Sequence, residues 1–349
     1  MTSTFVILTP GFPADESDST CLPFIQSFVL SVKREYSDMN VIVLTFQYPF
    51  TKKEYDWNGL KVIAFAGKNK GGILRVINWM KVWNRLRKIK NENNVIGLLS
   101  FWLGECALIG KRFGKRYSIK HYCWLQGQDA RKGNRYVALM QSKSNDIIAL
   151  SDFLADEFYR NYSVQVPEVI ESGIDISLIR NENEKRDIDI LGAGSLIQLK
   201  RYDLFIDVIF ELRKMFPSIR VMICGKGPEK VKLEQQIMRS GLSDTIILAD
   251  ELPHESVLKL MQRSRIFLHT STYEGYSTVC SEALFAAAKV ISFCKPMHHS
   301  IENWDIVKDK SDMIERCKTI VENDHLQFNS VITNPINDIA RNMLQLFGK

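Results

Sequence analysis

The chain has no run of about 18 uninterrupted apolar residues, which argues against a membrane-spanning helix. Its longest candidate, 95–110, carries Glu105 in the middle and reads as a strand followed by a helix. Residues 1–8 lack a basic segment ahead of their short apolar run and lack a small-residue cleavage pattern, so a cytoplasmic location is expected. The seven cysteines include no CxxC spacing, which excludes a disulfide or zinc framework and suggests free thiols. A formal charge of +6 over 349 residues is too weak, without a recognisable module, to argue for a nucleic-acid partner. There is no internal repeat and no low-complexity tract.

What is present is a rhythm. Short β-branched runs alternate with helical-period segments, the pattern of parallel sheets covered by helices. Strands are expected at 5–8, 40–46, 60–65, 95–101, 119–125 and 146–150, then at 187–191, 220–224, 245–248, 265–268 and 289–293. Between the two sets, 181–186 is polar and highly charged and reads as a linker. Two doubly wound α/β domains are therefore expected, 1–180 and 181–333, with an amphipathic helix within 334–349. Residues 203–216 carry Leu204, Phe205, Val208, Ile209, Leu212 and Met215 on one face and stop at Pro217, as a helix packed on a sheet should.

Three turns in the second half carry candidate chemistry. Gly194 follows strand 187–191, and Lys200 and Arg201 come just before the next helix. A glycine lets backbone approach an anion, and cations with helix N-terminal amides neutralise it, although the same residues also suit an ordinary solvated turn. Gly192-Ala193-Gly194 begins a dinucleotide fingerprint, but Ile197 stands where its third glycine is needed. A second turn holds Gly225 and Gly227. A third, 273–278, holds Glu274 and Gly275 and leads into a helix that Ser277 or Thr278 is expected to cap, with Glu282 on it. At the carboxyl ends of parallel strands these turns suit a phosphate-bearing ligand, with carboxylates accepting from sugar hydroxyls.

Glu274 and Glu282 stand in an E-x7-E arrangement, and EGYSTVCSEAL resembles the corresponding stretch of glycosyltransferase family 4. AGSLIQLKRYDLFI, CGKGP, ESGID and WLQGQDAR are similar, in family order, to its GRLxxxKGxxxLI, GxGP, NGVD and HGxD segments. The resemblance implies the GT-B fold, with a first domain for acceptor, a second for donor, the active site in the cleft between them and a last helix returning to the first domain. It implies a retaining, metal-independent transferase that needs no cofactor and moves sugar from a nucleotide donor to a glycan or lipid-linked acceptor. Lys200 would hold the diphosphate, Glu274 the transferred sugar and Glu282 the ribose. Gly194, Ser195, Arg201 and Gly225 would line the donor turns, and the amides of Gly275, Tyr276, Ser277, Thr278 and Val279 would contact sugar and phosphate. In the first domain Gly11 would approach the diphosphate, with Gln126 and Asp129 in the HGxD-like stretch.

The chain departs from that pattern at Ser195, Gln126 and Ser172, where the family usually has arginine, histidine and asparagine. Arg201 takes the position of the family's glycine and is the one further cation on that turn. Ser195 and Gln126 leave open a non-catalytic nucleotide-sugar-binding subunit that activates a partner; a third reading is a nucleotide-sugar epimerase or an NAD-linked enzyme on a similar sheet, the incomplete glycine fingerprint counting against the latter. Asp187-Ile188-Asp189 spells the DxD of metal-dependent transferases but sits at a strand start; Cys294, His298 and His299 fall short of four zinc ligands. His269 reads as a packed core histidine. Residues 78–90 combine Trp79, Trp83 and Leu86 with Lys81, Arg85, Arg87, Lys88 and Lys90, which suits either a solvated basic helix or a peripheral membrane contact with the aromatics in the interface.

Overall fold

The computed structural model describes residues 3–141, 144–178 and 185–349. The boundary expected after residue 180, and most of the expected linker, lie outside them. The chain forms two compact units: residues up to Gly173 together with Asn334–Lys349, and Ile174–Thr333.

In the first unit the strands are β1 (Ser3–Gly11), β2 (Asn40–Tyr48), β3 (Lys53–Trp57), β4 (Leu60–Ala64), β5 (Asn94–Phe101), β6 (His121–Trp124) and β7 (Ile147–Ile148), ordered β3-β4-β2-β1-β5-β6-β7. All neighbours are parallel except β3 on β4. Central β1 and β2 are almost wholly buried, as sheet covered on both faces requires, which is why their sequences are apolar runs without alternation. The helices are α1 (Pro23–Glu35), α2 (Gly72–Glu92), α3 (Glu105–Tyr117), α4 (Arg135–Met140) and α5 (Asp152–Tyr162). Strand β3, KEYDW, is not among the expected strands, because an antiparallel edge strand can be mostly charged.

The second unit has β8 (Ile188–Ala193), β9 (Val221–Cys224), β10 (Ile246–Ala249), β11 (Ser264–His269), β12 (Lys289–Ser292) and β13 (Trp304–Ile306), all parallel, in the order β10-β9-β8-β11-β12-β13. Its helices are α6 (Tyr202–Met215), α7 (Lys230–Arg239), α8 (His254–Gln262), α9 (Thr278–Phe285) and α10 (Lys310–Val321). Phe205, Val208, Ile209 and Leu212 of α6 are buried against this sheet.

The final helix, α11 (Ile336–Gln345), packs on α1 in the first unit. Ser31 Oγ donates to Asn337 Oδ1 at 2.8 Å, and Arg341 pairs with Glu35 at 2.7 Å. Phe347 then fills the space over Gly97, edge-on to Phe5 at 4.9 Å and Tyr122 at 5.1 Å. Both sheets are doubly wound, so each reverses its winding once, between β1 and β5 and between β8 and β11. At such a point the loops leaving two adjacent strands diverge and open a crevice at their carboxyl ends.

Candidate active site

At the β8/β11 reversal, the loop after β8 carries Gly194 and Ser195 into a short turn at Gln198–Lys200. That turn is anchored to the loop after β11: Thr270 Oγ1 donates to the Lys200 carbonyl at 2.8 Å, and the Thr272 amide to Leu199 at 3.3 Å. The glycine turns are laced together as well, with Gly194 N bonded to Cys224 O at 3.0 Å and Leu196 N to Lys226 O at 2.9 Å. Gly225 has φ +156°, and a Cβ there would lie 1.9 Å from the Gly194 carbonyl oxygen, so only glycine lets the two turns approach.

This anchoring brings Lys200 Nζ to 2.5 Å from Glu274 Oε2, both side chains partly buried. His269 Nε2 lies 3.6 Å from the same carboxylate oxygen, 3.2 Å from Ser271 Oγ and 3.4 Å from Ser277 Oγ. Burial pushes the Glu274 carboxyl up, but His269 and Lys200 outweigh it and hold it down at about 2. Burial pushes His269 below its ordinary value and the Lys200 charge adds to that, against the opposing pull of its hydrogen bond to Glu274. Eight residues on, Glu282 accepts from or shares a proton with His254 Nε2 at 2.8 Å, and although burial opposes it, that carboxylate raises the His254 pKa.

Some expected residues lie differently. Ser277 holds the N-cap position of α9, but its hydroxyl faces His269 and does not cap the helix. The Tyr276 ring is buried and edge-on to Trp304 at 6.4 Å, so only its backbone is placed to meet a ligand. Arg201 is bound to Asp203 at 2.9 Å rather than turned onto the Lys200 side chain, and its φ of +50° accounts for a position that suits glycine. Ser195 is exposed. Of the DxD pair at the start of β8, Asp187 is gripped by Arg263 at 2.5 and 2.8 Å, and Asp189 accepts the Arg220 amide at 2.8 Å.

At the β1/β5 reversal a cavity of about 880 Å³ is lined wholly by first-domain residues, among them Gly11, Tyr48, Arg75, Trp102, Glu105 and Asp129. Asp129 is buried, and its Oδ2 accepts the amides of Gln126 and Leu103, each at 2.8 Å. Despite those bonds burial dominates and raises its pKa to about 7. Gln126 is also buried, its side chain turned toward the Trp124 carbonyl at 3.4 Å.

Residues 175–327 match the model of the family described as glycosyl transferases group 1. That match spans nearly all of the second unit, Ile174–Thr333. A phosphatidylinositol N-acetylglucosaminyltransferase subunit from Arabidopsis thaliana is 25% identical over 127 residues, 36% of this chain and 28% of that protein. The Schizosaccharomyces pombe gpi3 subunit of the same-named transferase is 36% identical over 105 residues, 30% of this chain and 23% of its own. The chain thus spans about a quarter of the curated relatives it matches. Sucrose-phosphate synthase from Thermosynechococcus elongatus shares the fold with a TM-score of 0.74 at 13% identity, covering 99% of this chain and 95% of that one. Anabaena HepE, in complex with UDP and glucose, gives 0.67 at 15% identity over the same shares, 99% and 95%. The fold is GT-B, as the sequence motifs imply.

Within the second unit, sequence reasoning misses both histidines. His269 reads as a core residue, and it is buried, but it lies against Glu274. His254 carries no signal, because its partner Glu282 is 28 residues away and on a different helix. Of the two readings of 78–90, the one that puts Trp79, Trp83 and Leu86 into a membrane interface does not match the packing: Leu86 is buried and Trp79 and Trp83 pack on the core. Trp79 Nε1 donates to Glu105 at 2.6 Å, and Trp83 stacks edge-on with Phe113 at 5.1 Å.

Proposed function

We propose that the chain is a retaining, metal-independent glycosyltransferase that moves N-acetylglucosamine from a nucleotide donor to a lipid-linked acceptor. The observation that carries this reading is the Lys200–Glu274 pair at the strand reversal beside the start of α9. An ammonium has three N–H donors, so Lys200 can keep Glu274 and still donate to a diphosphate. As the glycosidic bond lengthens, negative charge grows on the leaving diphosphate and that bond strengthens, which favours the transition state over the bound donor. Glu274, held ionised, accepts from a hydroxyl of the transferred sugar. The choice of N-acetylglucosamine and of a lipid acceptor follows the names of the relatives, and the second-domain residues supply the donor chemistry.

The test is turnover of UDP-N-acetylglucosamine by the purified protein in EDTA, with the anomeric configuration of the product read by proton NMR. Slow UDP release, lost in Lys200→Ala and Glu274→Gln, is the expected result. Activity that requires added magnesium or manganese, or an inverted product, overturns the mechanism. Exposed Ser195 at the usual arginine position favours one second reading, a donor-binding subunit without catalysis. Donor binding with no hydrolysis, and turnover only after a partner is added, would select it.

A further inference from the structure

The first-domain cavity carries more positive charge than its own residues neutralise. Arg75, Lys132 and Arg135 line it, and among the described residues none of the three has an ion pair with a carboxylate. Arg75 Nε donates to the Lys70 carbonyl at 3.3 Å, and the Arg135 guanidinium lies 5.4 Å over the Tyr136 ring. The carboxylates of the lining are Glu105 and Asp129. Both are committed: Glu105 accepts from Gln47 Nε2 and Trp79 Nε1, and Asp129 from two backbone amides. The burial that pushes Asp129 to about 7 also leaves it partly protonated at neutral pH. Cations around a concave site, with its acids already engaged, suit a group with several acceptor oxygens and negative charge.

We propose that this cavity receives a phosphoryl group of the acceptor, as a phosphomonoester or phosphodiester. The proposal rests on the transferase reading and names the acceptor class. Its test is calorimetric titration of the full-length protein with glycerol 1-phosphate, glycerol and UDP. Glycerol 1-phosphate binds and glycerol does not; the Arg75→Ala, Lys132→Ala, Arg135→Ala triple variant loses tenfold or more of that affinity while UDP binding stays within twofold. Unchanged glycerol 1-phosphate affinity in the triple variant overturns it. An equal loss for UDP also overturns it, because the cations would then serve the donor. Lys200→Ala, which should weaken UDP alone, reports separately on the donor site.

An independent observation concerns the outer face of α2. Ile73, Leu74, Val76, Ile77 and Met80 are 76%, 50%, 46%, 41% and 61% exposed, so its first turns present a contiguous apolar surface. From Lys81 onward the exposed positions become polar or basic: Lys81, Asn84, Arg87 and Lys88. Nine lysines and arginines and no carboxylate fall in 61–90; Lys61 and Arg85 pair with Glu54 and Lys88 with Glu92, and the other six have no ion pair among the described residues. An apolar patch inside a predominantly positive field is complementary to a surface that is apolar below and negative above. Arg75, within the patch, also lines the cavity. We infer that the first half of α2 seats on an anionic lipid bilayer, with Ile73, Leu74 and Ile77 below the head groups. Co-sedimentation of the full-length protein with phosphatidylcholine vesicles, with and without a third of phosphatidylglycerol, tests it. Wild type partitions onto the anionic vesicles, and Ile73→Ser, Leu74→Ser, Ile77→Ser together reduce partitioning at least tenfold. Equal sedimentation of wild type and variant overturns the inference, as does a loss confined to self-association by gel filtration.

Discussion

Asp129 and Glu274 are carboxylates in the two expected motifs, one in each domain, and their surroundings drive them in opposite directions. Asp129 is buried, its carboxylate hydrogen-bonded among the described residues to backbone amides alone, and its pKa rises to about 7. Glu274 is also desolvated, but His269 and Lys200 face it and its pKa falls to about 2. Two amide dipoles do not offset the loss of water, whereas the His269 contact together with a cation at 2.5 Å does. The first carboxylate therefore fixes a loop at the cavity wall. The second remains charged across the ordinary pH range, where a hydroxyl donor can use it.

The sharpest way to break this contrast is to remove the cation. Lys200→Ala should lower kcat by about 10²-fold or more, the scale of losing one charged donor to a leaving group, and Glu274→Gln should also reduce kcat. Near-wild-type kinetics in both, with the correct donor, would reduce the pair to a surface ion pair. If Glu282 holds the donor ribose, as the sequence resemblance implies, the variants Glu282→Gln and His254→Ala should raise the donor KM at nearly constant kcat, because the ribose lies away from the reacting bond and contributes mainly uniform binding. A fall in kcat with unchanged KM would move Glu282 to the reacting centre.

Stability against pH sharpens the same comparison. The Glu274 pKa is lowered from 4.5 to about 2, so its contribution is present above about 4.5 and is lost as pH falls toward 2. The Asp129 pKa is raised from 3.8 to about 7, so its contribution is full below 3.8 and is lost as pH rises through 7. In urea titrations Glu274→Gln should flatten the acid limb, and Asp129→Asn should flatten the decline between about pH 4 and 7. If either variant merely offsets the wild-type curve by a constant, its carboxyl titrates normally. The smallest effect is expected at Arg201. Arg201→Gly relieves the left-handed backbone at φ +50° and should change stability by no more than about 1 kcal/mol, with kcat within threefold. A large loss of kcat would mean that its guanidinium leaves Asp203 for the donor.

The alternation of apolar runs with helical-period segments determined the two doubly wound sheets, because strands buried on both faces must be continuously apolar and covering helices must show one apolar stripe. Glycine spacing likewise marked the turns after β8 and β9, where a side chain at Gly225 would strike the neighbouring carbonyl. Strands β3 and β13 left no such mark, since an edge position needs one covered face or little length. Lys200 and Glu274 were legible as motif members, but their distance was not: it is set by the Thr270 and Thr272 bonds that tie one loop to the other. Only tertiary structure set His269 and His254 against the two glutamates, and only it decided which side of α2 faces the core. Tryptophans near lysines read as an interfacial pattern in sequence, yet Trp79 and Trp83 are claimed by Glu105 and Phe113, and the apolar face that remains exposed begins one turn earlier, at Ile73. Periodicity records that a helix has an apolar side; which neighbours bury it depends on partners far along the chain.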